Sequence, residues 1–466
     1  MFLQALRAEL RPMLRLAVPV VTVQLGLMAM GVVDTMMVGR VSPVALAAVA
    51  LGNLYFFNAL IFPFGVLTAL DPLFSQAVGA GDHAAVARDL RRGLALAGAL
   101  AIPFSLVQWP AARALAWAGQ PAEVVPDAAA YVRASIPGVF PFLAFLVLRQ
   151  ALQALSRTGP VVVAILGGNL LNVLLNAVLI YGAGPVPALG AVGSAWASTI
   201  SRWAMVVGLL AAGGSELRRL VFARAPGAVA LHLLARTLRL GSPIGAQYLL
   251  EIGAFGVVGL LMGRLGTIEV AAHQVTLNLA SLTFMVPLGV ATAAAVRVGH
   301  AVGRLDPSGA RRAAGVALLL GAGFMALCAA AFLTFPGALV ARYTRHAPVV
   351  ALAVTLLPIA GAFQVFDGLQ VVAAGILRGL GHMRTAMVVN IVGFWAFGIP
   401  VSLVLAFPCG LGPVGLWWGL VAGLAGVAVV LLWRVRVGLR GRLRRLAVDD
   451  ISGLNSPPAP ADECPP

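Results

Sequence analysis

The sequence predicts an all-α integral membrane protein of twelve transmembrane helices, arranged as two six-helix lobes related by a parallel internal repeat. Three observations carry this. The 466 residues are 61% hydrophobic and 10% charged, with a mean hydropathy of +0.97, whereas soluble domains are about half apolar and a quarter charged. The apolar residues fall in long continuous runs, and a hydrocarbon core about 30 Å thick needs roughly 20 of them per helix. Finally, residues 33–82 are echoed 224 positions later.

Span 1 (14–38) opens beside Arg15, after Arg7 and Arg11, and continues as about 23 apolar residues with no small-residue cleavage site after them. That is too long for a signal-peptide core, so it reads as a retained helix. Spans 2 (45–72) and 3 (93–117) are long apolar runs with few polar residues. Span 4 (130–152) contains Pro137 and Pro141, which membrane helices tolerate as kinks. Span 5 (160–182) carries Asn169, Asn172 and Asn176, whose spacing of three and four stacks them on one face. Spans 6 (190–212) and 12 (413–433) open on the matching strings LGAVGSAW and LGPVGLWW, and span 6 encloses Arg202. Spans 7 (240–263), 8 (272–297), 10 (348–377) and 11 (386–407) hold Pro243, Pro287, Pro358 and Pro400, while span 9 (313–335) holds Cys328. None of the runs alternates as a barrel strand does, which leaves helices, since these satisfy their own backbone groups in lipid.

The repeat gives 14 identities in 50 aligned positions, from Val33 to Asp82, against roughly 5 expected from so biased a composition. An even number of spans per copy brings both copies in from the same side, so the pseudo-twofold lies along the membrane normal. The expected organisation is an N-lobe (1–215), a cytoplasmic connector (216–239), a C-lobe (240–435), and a tail (436–466) that is basic and then disordered.

The net charge of +16 comes from 32 basic residues, all arginine. Both termini and the loops after even-numbered spans hold 25 of them, the opposite face holds Arg40, Arg113, Arg133, Arg264, Arg342 and Arg345, and Arg202 lies within a span. The positive-inside rule therefore places both termini in the cytoplasm and leaves no excess to argue for nucleic acid. Cys328, Cys409 and Cys464 have no CxxC or histidine partner nearby and form no framework.

Four of the 16 acids fall inside or at the edge of spans: Asp34, Asp71, Glu251 and Asp367. An acid at a helix centre costs roughly 2.5–3.5 kcal/mol to insert, so each marks a protein-lined or watery cavity. Glu251 has Gln247 and Phe255 one turn away on its own face. Asp367 has Phe363, Gln364 and Gln370 similarly placed. Two carboxylates with amide oxygens suit Na⁺ or a shared proton, and the phenyl rings suit a flat organic cation. In the N-lobe, Asp34 is expected to meet the asparagines of span 5. Asp71 and Arg297, near the inner ends of spans 2 and 8, are expected to pair as a cytoplasmic gate. Arg202 needs a partner that the sequence does not name.

The chain resembles the multidrug and toxic compound extrusion (MATE) family, in its NorM-like branch. The resemblance rests on VDTMMVGRVSPVALAAVALGN around Asp34, GVLTALDPLFSQAVGAGD around Asp71, and the stretch from Gln247 and Glu251 to AAHQ ending at Gln274. It continues in PLGVATAAAVRVGHAVG and in FDGLQVVAAGILRGLG around Asp367, covering about residues 10–435. The resemblance implies an antiporter that expels mostly cationic, amphipathic compounds in exchange for Na⁺ or H⁺ by rocking two lobes. It implies coupling roles for Asp34, Glu251 and Asp367, with Glu251 and Asp367 as Na⁺ ligands if sodium is the ion. Gln274, Phe363, Asn172 and Asn176 are expected in the substrate cavity. Sodium-dependent relatives commonly have a tyrosine where this chain has Phe363, which weakens Na⁺ without excluding it.

No cofactor beyond the coupling ion is expected. The expected setting is a monomer in a bacterial inner membrane, its partners being drugs and lipid. A lipid-linked saccharide flippase of the same superfamily is the nearest alternative, but it would need a large basic cavity. A membrane enzyme would need an HExxH, GxSxG or DDxxD cluster, and none occurs. His273 reads as a packing residue.

Overall fold

The computed structural model describes residues 2–222, 228–446 and 448. Among the described residues twelve helices are long and apolar enough to cross a membrane. In order these spans are Ala8–Val38, Pro43–Gly79, His83–Gln108, Val125–Ala154, Gly159–Tyr181, Gly190–Ala212, Leu231–Leu265, Thr267–Gly303, Pro307–Thr334, Ala347–Gly379, Met383–Ala406 and Gly412–Gly438.

Several spans start earlier than their apolar runs because polar caps set the boundary. Ser42 accepts a hydrogen bond from the Ala45 N–H at 3.0 Å, with Pro43 at the first helical position. Asp82 accepts from Ala85 at 2.8 Å and starts span 3 at His83, ten residues before the expected 93. Asp306, its repeat equivalent, accepts from Gly309 at 2.8 Å and starts span 9 at Pro307. Hydropathy overlooks such amphipathic first turns because arginines interrupt them. Span 3 ends at Gln108, and Ala111–Trp117 forms a separate short helix.

Three spans are irregular. Span 2 breaks at Ala69, three residues before Pro72, whose ring would clash with the Thr68 carbonyl and which has no N–H to bond it. Span 4 passes through a 3₁₀ turn at Ile136–Gly138, around Pro137. Span 11 contains a π-helical stretch, Ile391–Gly398, ahead of Pro400. Pro243, Pro287 and Pro358 instead lie in continuous helices.

The connector expected at 216–239 is mostly helical where described: Gly214–Phe222 forms a short helix, residues 228–229 form a turn, and span 7 is already under way at Leu231. The expected disorder of the tail lies outside the described residues beyond Val448. The stretch up to it docks on both halves: Arg445 pairs with Asp82 at the start of span 3 at 2.9 Å, and Arg236 of span 7 donates to the Val448 carbonyl at 3.1 Å.

Two large apolar clusters form the interior. One joins spans 2–6 to Val23 and Met30 of span 1, and the other joins spans 7–12 to Met13, Leu16, Ala17 and Val20 of span 1. Span 1 thus starts on the far half and ends on its own. The halves meet at two close helix crossings related by the 224-residue displacement. Span 2 meets span 7 where a Cβ on Gly65 would stand 2.5 Å from the Gly245 Cα. Span 8 meets span 1 where a Cβ on Gly289 would stand 3.0 Å from the Val21 Cα. Without a hydrophobic drive in lipid, such small-residue contact is what lets helices pack.

Candidate functional site

Asp34, near the end of span 1, is 3% exposed and fully engaged by spans 5 and 6. Asn176 donates to its Oδ1 at 2.6 Å and Ser198 to its Oδ2 at 2.6 Å. Asn172 backs both: its amide donates to the Ser198 hydroxyl at 3.1 Å, and its Oδ1 accepts from Asn176 at 3.2 Å. Asn169 stands apart and donates instead to the Gly26 carbonyl of span 1 at 3.0 Å. Asn172 and Asn176 are 0% exposed, so they hold the acid and do not line open space as expected. The charge that Arg202 needs to satisfy is shared between Asp34, which acts on it electrostatically, and the face of Phe56, 4.3 Å from the guanidinium carbon.

In the other half, spans 7, 10 and 11 build a second acidic centre. The Gln370 amide lies 3.2 Å from Glu251 Oε1 and 3.3 Å from Asp367 Oδ1, so one side-chain nitrogen serves two carboxylates from different spans. Asn390 adds a longer contact to Glu251 Oε2 at 3.4 Å. It immediately precedes the π-helical stretch, a distortion frequent at functional sites. Two negative groups around one neutral amide form a centre that a proton or a cation stabilises. Gln364 turns away and accepts from Thr283 at 2.6 Å.

Phe363 departs from expectation. It is 2% exposed, wedged between Phe255 at 5.9 Å and Trp417 at 5.8 Å, both edge-on. Its ring is spent on packing, so it is a core residue and not a cavity wall. His273 packs edge-on against Trp417 at 5.6 Å, as a packing residue would. Gln274 is exposed in span 8 and makes no hydrogen bond among the described residues.

The Asp71–Arg297 pair does not form. Arg297 pairs with Glu9 at 2.6 Å, because its face of span 8 packs against the start of span 1. Asp71 is 4% exposed just after the break in span 2, where Arg149 and Arg378 are the cations acting on it. Ser198 and Asn390 were missed. Ser194, Ser198 and Arg202 share a face at spacings of four, a signal that could have found Ser198. Asn390 lies in an apolar span with no acid nearby in sequence and carried none.

The MatE family profile matches residues 19–178 and 243–404. The chain belongs to the MatE family. Its two matched stretches begin 224 residues apart, the displacement of the internal repeat, so each MatE unit supplies one acidic centre. Among relatives, the probable multidrug resistance protein NorM of Rhizobium meliloti (strain 1021) is 40% identical over 91% of this chain and 92% of its own. That of Burkholderia mallei (strain ATCC 23344) is 40% identical over 90% and 91%. Among solved structures, the eukaryotic MATE transporter AtDTX14 superposes with a TM-score of 0.85 at 25% identity, covering 94% of this chain and 98% of that one. A MOP superfamily transporter from Pyrococcus furiosus shares the fold, with a TM-score of 0.84 at 20% identity over 94% and 97%. This MatE chain is therefore a multi-pass integral membrane protein of a transporter family, not an enzyme.

Proposed function

We propose that this MatE protein is a multidrug efflux antiporter, exporting organic, mostly cationic amphipathic compounds in exchange for inward H⁺ or Na⁺ by rocking its two lobes. The observation that carries the reading is the single Gln370 amide shared by Glu251 and Asp367. The multidrug resistance names of relatives near 40% identity support the substrate class. The arginine excess supports a cytoplasmic location for both termini, in a bacterial inner membrane. The chain works as a monomer in lipid.

The mechanism follows from competition for one charge. A carboxylate pair that has taken up H⁺ or Na⁺ has less charge to offer a drug cation. Ion entry from outside thus expels the drug, and drug entry from inside expels the ion. Each elementary charge moved inward is worth about 2.3 kcal/mol per 100 mV, enough to hold a drug gradient of roughly fiftyfold. Asp34, held by three polar side chains, is the N-lobe ion-responsive group. Gln274, exposed in span 8, is the candidate substrate contact.

The test is ethidium efflux from proteoliposomes under separately imposed Na⁺ and H⁺ gradients. Glu251→Gln and Asp367→Asn should each abolish efflux while leaving the protein monodisperse. Wild-type efflux in either variant would sink the assignment.

A further inference from the structure

The arginine-rich end of the molecule is closed by a seam that obeys the pseudo-twofold of the repeat. Among the described residues, the hydrogen bonds and ion pairs that join spans 1–6 to spans 7–12 all lie at that end. The inner halves of spans 2 and 8 cross there, with Ser75 against Gly299. Gly79 stands on the His300 carbonyl and Gly303 on the Gln76 carbonyl. Each of the pairs 75 and 299, 76 and 300, and 79 and 303 is separated by the repeat displacement, so the contact is self-complementary in the manner of a twofold interface.

The side chains at 76 and 300 complete it. Gln76 Nε2 donates to the Gly379 carbonyl at 2.9 Å, at the end of span 10. His300 Nε2 lies 2.7 Å from the Ala154 carbonyl at the end of span 4, and since a carbonyl only accepts, that nitrogen carries the proton. Gly379 and Ala154, 225 residues apart, occupy matching places at the ends of spans 10 and 4, each standing two residues before a left-handed position, Gly381 at φ 90° and Ser156 at φ 59°. Gln76 and His300 are 0% and 5% exposed. Different side chains thus make the same bond in each direction across the seam.

We propose that Gln76 and His300 are twin positioning residues that latch the arginine-rich side shut, and that both bonds break together when the lobes rock to take up substrate. This rests on the transporter reading above. The tail loads one latch only: the Leu446 N–H donates to Gln76 Oε1 at 2.7 Å, leaving that amide bonded on both sides. Neither residue belongs to the acidic centres, so the latch sets which side is open and not what is bound.

The experiment uses the full chain in inside-out vesicles, with Cys328, Cys409 and Cys464 replaced by serine and Gln153→Cys as reporter. Gln153 is 1% exposed and its amide has no partner among the described residues, so its truncation removes no bond. A membrane-impermeant maleimide should label the reporter slowly in the latched parent. His300→Ala and the isosteric Gln76→Glu, which removes the N–H donor, should each speed labelling roughly two- to tenfold, the shift set by one hydrogen bond. His300→Gln, which copies the residue at the equivalent position, should label like the parent. Unchanged rates in His300→Ala and Gln76→Glu, or equal acceleration by His300→Gln, would overturn the latch. Absence of efflux in the parent would instead count against the transporter reading.

Discussion

Replacing Gly65 with alanine tests the close crossing of spans 2 and 7. Its Cβ would stand 2.5 Å from the Gly245 Cα, 2.8 Å from the Gly245 nitrogen and 3.0 Å from the Ile244 carbonyl carbon. All three are backbone atoms that cannot rotate away, whereas ordinary contact begins at 3.4 Å. The helices must therefore part by about 1 Å, a gap that forfeits a quarter to a half of the dispersion energy of each atom pair along the crossing. Overpacking of this kind costs about 1–3 kcal/mol, and 2 kcal/mol is roughly thirtyfold in a two-state population. Gly256, also in span 7, is the control: a Cβ there meets nothing within 4 Å, and alanine raises helix propensity by up to about 1 kcal/mol. The assay is the temperature at which purified protein loses its monodisperse fraction in detergent. Gly65→Ala should lose it at a lower temperature than wild type, and Gly256→Ala at an equal or higher one. Equal temperatures for the two variants would refute the close-packed crossing.

Further expectations concern single contacts. Ser198→Ala removes a donor at 2.6 Å from Asp34 Oδ2; a charge-assisted bond of this kind is worth about 1.5–3 kcal/mol, so stability should fall, while Ser198→Thr should retain most of it. Phe56→Leu removes the ring 4.3 Å from the Arg202 guanidinium and should destabilise the N-terminal half by about 2 kcal/mol or more in chemical denaturation, the apolar burial lost adding to the cation–π contact. The Ala85 N–H first, and then Arg445, hold the Asp82 carboxyl below the usual carboxylate range. Such a group contributes above that range and loses its contribution only as pH falls through the lowered value. Docking of the tail, read as exchange protection of the Leu446 amide after correction for intrinsic rate, should be flat from pH 5 to 9. Protection should weaken with added salt and in Asp82→Asn. A titration near neutral pH would contradict the assignment.

The sequence and the structure part company where contacts depend on which way a helix face turns. The twelve spans, the repeat and the acids at membrane depth were legible because each is a one-dimensional signal: a run, a displacement, a charge where charge is costly. The asparagines of span 5 were legible as a stripe, yet the sequence did not separate Asn169, which bonds the span 1 backbone, from Asn172 and Asn176, which reach the acid's network. Phe363 looked like a cavity ring because it lies one turn from Asp367, but Trp417, 54 residues on, takes up its edge. Asp71 and Arg297 are expected to pair from their places near the inner ends of spans 2 and 8, while the structure turns Arg297 to Glu9 at the far end of the chain. The twin roles of Gln76 and His300 were hidden because the repeat preserved the bond and not the residue.

The central claim is that drug and coupling ion compete for the carboxylates that share Gln370. Equilibrium binding of ethidium to the purified protein, followed by fluorescence over a range of Na⁺ at fixed pH and over a range of pH without Na⁺, tests it most directly. The account expects the apparent affinity to fall in proportion to the concentration of one of the two ions, and Asp367→Asn to bind ethidium weakly with that dependence removed. Ethidium affinity independent of both ions in the wild-type protein, or an unaltered ion dependence in Asp367→Asn, would contradict it.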